Sequence, residues 1–230
     1  MAYVPLHNEF LRDTMVSLPQ PIYGGHTDAI KEVSMKALGI SGSPRPDGNC
    51  MLITDHALQA MAEEGFEIEL LSLAGLKIEG CTACESCAGT ERCVIEDDMA
   101  PIFEKMLQAD AIIISTPVYF GSATARVKAL LERTGYVLFR NKHSFKGKVG
   151  GPIVVARRGG LTFTFAQMNY WFQALDFYMA GVARWNIATG REKGEVANDR
   201  EGMTAAWNLG KRLAFLAKAV NDAGEGWKPW

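Results

Sequence analysis

From Met35 onward, apolar and polar positions alternate between two periodicities. "MKALGIS", "FEIELLSL", "AIIIST", "GPIVVA" and "GVARWNIA" are short apolar or alternating runs, and each reads as a strand. Two of them, "AIIIST" and "GPIVVA", are apolar throughout, the pattern of strands buried on both faces. Between these runs, apolar residues recur at three- and four-residue spacing. That spacing predicts helices over "CMLITDHALQAMAEEG", which stops at Gly65, and over "DDMAPIFEKMLQA", opened by Asp97 or Asp98 as N-cap. It predicts three more over "ATARVKALLERTG" with its glycine stop, the aromatic-rich "TFAQMNYWFQALDFYM" and the closing "MTAAWNLGKRLAFLAKAV". Strands and helices alternate without an internal repeat. The fold class expected is therefore α/β, a doubly wound five-stranded parallel sheet with helices on both faces.

Residues 1–35 show no sustained periodicity and include the turn-rich "LPQPIYGGH", so they read as an N-terminal extension that wraps over the core or a partner subunit. The main domain is expected over 36–222, with a cysteine-rich loop at 80–94 and a tail at 223–230. Composition changes this picture little. A hydrophobic content of 48% suffices for a packed core, and a net charge of −2 gives no pull toward nucleic acid or an anionic membrane. No basic segment leads into an apolar stretch at the start, and "AIIIS" is too short to span a bilayer, so a soluble, cytoplasmic protein is expected. His7, His26, His56 and His143 are scattered without metal-ligand spacing.

Chemistry in such a sheet belongs beyond the carboxyl ends of the strands. Three loops leave those ends with distinctive composition. "SGSPRPDGN" offers the hydroxyls of Ser41 and Ser43, the amide of Asn49, two glycines and a helix N-terminus, a set suited to an anion. It is neither a dinucleotide fingerprint nor a triphosphate loop. "STPVYFGSAT" puts a proline and two aromatics at the mouth of a buried strand, a costly exposure unless something flat packs there. "VARRGG" adds two cations and two glycines. Taken singly, these are a capping turn, core filler and solvated charge; a planar, phosphate-bearing cofactor accounts for all three together. Tyr170 and Trp171 in the aromatic helix are read chiefly as packing residues.

Four of the five cysteines, Cys81, Cys84, Cys87 and Cys93, lie at spacing C-x2-C-x2-C-x5-C. A reducing compartment disfavours disulfides. Structural zinc sites draw on two well-separated cysteine pairs, whereas cysteines recurring every third residue are typical of iron–sulfur runs. Spacing favours one cluster held by all four, with redox-active thiols and zinc as the other readings.

The stretch from about Lys36 to Ala188 resembles the NADPH-dependent FMN reductase group of flavodoxin-like proteins. "GISGSPRPDGN" is similar to that group's phosphate loop and "PVYFGSATARVKALLERT" to its second flavin loop. With "CTACESCAGTERCVIEDDM" between them, the chain resembles the iron–sulfur flavoproteins. The resemblance implies a flavodoxin-like fold and an FMN site built from Ser41, Ser43, Arg45, Asn49, Cys50, Pro117, Val118, Tyr119, Phe120, Gly121, Arg158 and Gly159. It also implies a [4Fe–4S] cluster on Cys81, Cys84, Cys87 and Cys93. Cys50 departs from the family's hydroxyl residue in the phosphate loop, and "VARRGG" matches the third flavin loop only loosely.

The function so implied is a flavin-dependent oxidoreductase and electron carrier, without a catalytic acid or base. Electrons pass through FMN to a small acceptor or redox partner, NAD(P)H or a ferredoxin-type protein is the donor, and the subunits pair as a dimer or tetramer. The alternatives are a cluster-free NAD(P)H-dependent FMN or quinone reductase and a zinc- or thiol-based interaction module.

Overall fold

A computed structural model of the chain describes residues 34–143 and 145–224. The extension expected over 1–35 and the tail expected over 223–230 lie outside these residues except at their inner ends. The elements run β1 (Lys36–Ser41), α1 (Asn49–Ala62), β2 (Glu67–Ser72), α2 (Met99–Gln108), β3 (Ala111–Pro117), α3 (Ala125–Arg140), β4 (Val149–Ala156), α4 (Leu161–Ala174), β5 (Tyr178–Met179), β6 (Ile187–Thr189), a 3-10 turn (Glu195–Asn198) and α5 (Arg200–Ala223). All strand pairings are parallel, in the order β2-β1-β3-β4-β5, with β6 also pairing β4. This is the flavodoxin-like order, which places the switch point between β1 and β3.

Period-two alternation divides the core. On β3, Ile112 and Ile114 face a cluster built from α2, α3 and α4, whereas Ala111 and Ile113 face α1 and α5. Gly210 of α5 allows the closest helix contact: a Cβ there would stand 2.1 Å from the carbonyl oxygen of Ala57 in α1.

Several sequence expectations need correction. The run "GVARWNIA" does not form one strand. Arg184 and Trp185 both take left-handed conformations (φ 64° and 63°), which breaks the edge into β5 and β6, each paired to a different end of β4. Among the described residues the sheet keeps the five positions expected, with β5 and β6 sharing the one beside β4. The aromatic helix ends at Ala174; Asp176 turns left-handed (φ 62°) and Tyr178–Met179 pairs with β4. Helix α3 runs through Gly135 to Arg140, because buried Val137 and Leu138 continue its apolar face and Trp171 packs over the glycine. Asp98 stands at the N-cap of α2 without a side-chain cap bond, and Asp97 accepts from Met99 N–H instead (3.1 Å).

Candidate functional site

At the carboxyl edge of the sheet, the loops after β1, β3, β4 and β6 enclose a cleft of about 160 Å³. Its walls include Ser43, Arg45, Asn49, Tyr119, Arg157 and Arg191. The loop after β1 is held tightly. Gly42 N–H donates to Ser115 O (2.7 Å), Thr124 Oγ1 donates to Gly42 O (2.9 Å), and a Cβ at position 42 would overlap Val127 at 1.9 Å. Ser43 Oγ accepts Arg45 N–H (3.1 Å), curling the backbone toward α1. Helix α1 begins after Gly48 without a side-chain cap. Its first N–H groups therefore remain available to an anion, which the helix dipole favours.

The loop after β3 leaves the sheet at Val118, whose N–H donates to Val155 O (2.9 Å), and reverses at Tyr119–Ser122. Phe120 and Gly121 are left-handed (φ 50° and 80°); Phe120 is fully exposed and Tyr119 about half so, at 49%. Gln167 of α4 holds this turn, accepting from Ser122 Oγ (2.9 Å) and Ala123 N–H (3.1 Å). Gly160 (φ 81°) lets the loop after β4 approach it, since a Cβ there would lie 2.8 Å from Val118 Cγ1.

The structure does not treat the expected residues alike. Ser43, Arg45, Asn49, Cys50, Pro117, Val118 and Tyr119 line one cleft. Ser41 lies beneath it, its hydroxyl buried without a hydrogen-bond partner. The Cys50 thiol is buried in the α1–α5 core, and burial pushes its pKa up to about 12, so it stays neutral. Phe120 and Gly121 form the exposed tip of their loop. Arg158 and Gly159 are exposed and line no part of the cleft, where Arg157 stands in their stead. Tyr170 is exposed and lines a separate apolar cavity of about 560 Å³ between α4 and the split edge, and Trp171 packs in the core with Phe145, Phe172 and Phe177.

Sequence reading missed the loop after β6. Val196 N–H donates to Asn49 Oδ1 (3.3 Å), Arg45 Nη1 donates to Arg191 O (3.3 Å), and Lys193 pairs with Asp47. Gly190 makes room for Asn49, whose Nδ2 would lie 2.8 Å from a Cβ. The signal that could have found this loop is "TGREKGE", a glycine-bounded charged segment directly after a strand.

The cysteine loop sits between β2 and α2 and docks on the second half of α3. Cys81 N–H donates to Glu132 Oε2 (3.4 Å), Asn141 Nδ2 to Cys87 O (2.8 Å), and Gly89 N–H to Asn141 Oδ1 (2.7 Å). Arg140 pairs with Glu85 at 3.1 Å. Ala83, Glu85 and Glu91 are left-handed (φ 52°, 60° and 56°), so the chain reverses sharply on both sides of Cys84. All four thiols are free; Cys84 is exposed, Cys87 buried, and Cys81 and Cys93 half-buried. Ser86 N–H and hydroxyl and the Thr82 hydroxyl lower the Cys84 pKa. Burial raises that of Cys87, and the charges of Cys93, Cys81 and Cys84 push the same way. Among the described residues no three His, Cys, Asp or Glu side chains are gathered closely enough to hold a metal ion. The donor set thus fits an iron–sulfur cluster in kind and number, while the thiols are not drawn into a cage.

A sequence profile of the NADPH-dependent FMN reductase family matches residues 35–192. Among characterised proteins, the chain is 38% identical over 193 residues to an iron–sulfur flavoprotein of Methanocaldococcus jannaschii, covering 81% of this chain and 99% of that protein. It is 40% identical over 195 residues to the iron–sulfur flavoprotein of Methanosarcina thermophila, covering 81% and 97%. Among solved structures, RosB with bound 8-demethyl-8-formylriboflavin-5'-phosphate superimposes with a TM-score of 0.65 at 18% identity, covering 82% of this chain and 81% of that one, a likeness of fold.

Proposed function

Because the chain belongs to the NADPH-dependent FMN reductase family, among its iron–sulfur flavoproteins, we propose that its cleft binds FMN and its cysteine loop a [4Fe–4S] cluster, and that electrons pass between them to a small acceptor or a redox partner. The observation that carries this reading is the convergence of the loop after β1, the uncapped start of α1 and the aromatic turn after β3 on one cleft.

The backbone N–H groups at the start of α1, with Ser43 and Arg45, would hold its phosphate, and Arg157 and Arg191 line the same cleft with positive charge. Pro117–Tyr119 form the wall for a flat ring, with half-exposed Tyr119 as its aromatic, and Phe120–Gly121 stand beyond it at the loop tip. Bound there, FMN supplies one- and two-electron chemistry, and the protein positions it and tunes its potential. Cys81, Cys84, Cys87 and Cys93 would hold the cluster, which exchanges single electrons. No side chain is assigned as a proton acid or base. NAD(P)H or a ferredoxin-type protein is the proposed donor.

The exposed Phe120, Phe139, Tyr170 and Phe215 favour a homo-oligomer. The ungathered thiols favour the second reading, a cluster-free NAD(P)H-dependent FMN or quinone reductase.

Purification under argon with flavin, iron and sulfide assays tests the function. One FMN per chain in a brown protein with broad visible absorption is expected. Yellow, iron-free protein would favour the second reading, and colourless protein that takes up no FMN would overturn both.

A further inference from the structure

Arg133 lies in the middle of α3 with its side chain 1% exposed, a setting that costs several kcal/mol for a charge unless it is well paired. Its partners are all on the segment that carries the cysteines. Nη1 donates to Glu79 O (3.3 Å) and to Asp97 Oδ2 (2.5 Å), and Nη2 donates to Ile95 O (3.1 Å) and Cys93 Sγ (3.2 Å). Asp97, equally buried, completes the junction by accepting Glu79 N–H at 2.8 Å. One guanidinium therefore joins the residue two before the first cysteine to the residues just after the last. The loop between them is closed at its base. Closure alone does not call for a charge, since apolar groups often replace buried ion pairs without loss. What an apolar side chain cannot do is direct an N–H at a sulfur.

We propose that Arg133 is a positioning residue for the cysteine quartet: it closes the base of the loop and aims a charged N–H at Cys93, making that sulfur the fixed member toward which the others gather. The inference rests on the reading that the four cysteines hold a cluster. Hydrogen bonds to cluster sulfurs are among the factors that set reduction potential, and a positive donor favours the state with the added electron. Arg133 should therefore make the cluster easier to reduce, acting through Cys93 and not through the flavin.

The test uses the full chain with FMN bound, as Arg133→Lys and as the double variant Arg133→Met with Asp97→Asn. The double variant removes both buried charges, so that neither is stranded if the lysine variant fails to fold. FMN per chain reports folding and should match the wild type. After anaerobic reconstitution, both variants should show a more negative cluster potential by redox titration with electron paramagnetic resonance. In metal-free protein, hydrogen exchange should quicken across 79–97 and stay unchanged in the loop after β1. Potentials and exchange rates equal to the wild type would overturn the proposal. A wild type that takes up no iron or sulfide would overturn the cluster reading and the tuning role together, leaving exchange across 79–97 to decide the closure role alone.

Discussion

Cys50 shows how burial can set one side chain's chemistry against its position in sequence. It stands in the first turn of α1, where an anion would favour a donor, yet its thiol is buried in apolar surroundings. Burial raises its pKa from 9.0 to about 12. Folding therefore favours the protonated form. The associated stability is fully present below pH 9 and is lost as pH rises toward 12, up to about 4 kcal/mol at 1.36 kcal/mol per pK unit. Urea unfolding at pH 8 and pH 11 should show wild type losing more stability than Cys50→Ala across that interval; equal losses would mean the thiol is not shielded. On the other side of the helix start, Ser43→Ala with Asn49→Ala should weaken FMN binding by about 1–3 kcal/mol per lost charge-assisted bond, measured by fluorescence titration. Both side chains shape the cleft, Ser43 through Arg45 N–H and Asn49 through Val196 N–H. The serines, Asn49 and the cysteines were legible in sequence because their spacing is local. Arg133 was not: it reads as an ordinary helix cation, and only tertiary packing brings it to Cys93.

Elements were legible where one period persists and illegible where packing overrides a local signal. The buried runs of β3 and β4 are strands as expected. Gly135 reads as a helix stop, but Trp171 lies 3.1 Å from where its Cβ would be and donates from Nε1 to Leu131 O (2.7 Å), so the glycine serves helix-to-helix contact. Gly210 is the sharper case. By propensity alone, Gly210→Ala would stabilise α5 by about 1 kcal/mol. The added methyl would stand 2.1 Å from Ala57 O, so α1 and α5 must separate. A net loss of about 1–3 kcal/mol is expected from the overpacking. Denaturant melting checks the sign: a gain would show that the helices can shift without cost.

For the whole molecule, alternation of strand and helix was enough to reach the layered architecture, and the cysteine spacing with two of the loops was enough to reach the family. What pattern could not supply was the fourth wall of the cleft, because the loop after β6 meets α1 from nearly 150 residues away, at a separation of 147 between Asn49 and Val196. Light scattering with FMN bound should give a mass of at least two chains, and a monomer at micromolar concentration would contradict the oligomer. Among the described residues, no helix is long and apolar enough to cross a membrane. The split edge also limits how copies can meet. A long, regular edge strand is a template on which another chain can add strand by strand. Here one edge is two residues of β5 and three of β6, separated by the left-handed pair Arg184 and Trp185, and the other, β2, carries the partly exposed Glu69 paired with Lys105. The split edge therefore offers no continuous ladder to a newcomer, whereas β2 runs six residues in unbroken parallel register with β1. Strand-by-strand addition is blocked at the split edge, and copies meeting there are left to recognise one another by side chains.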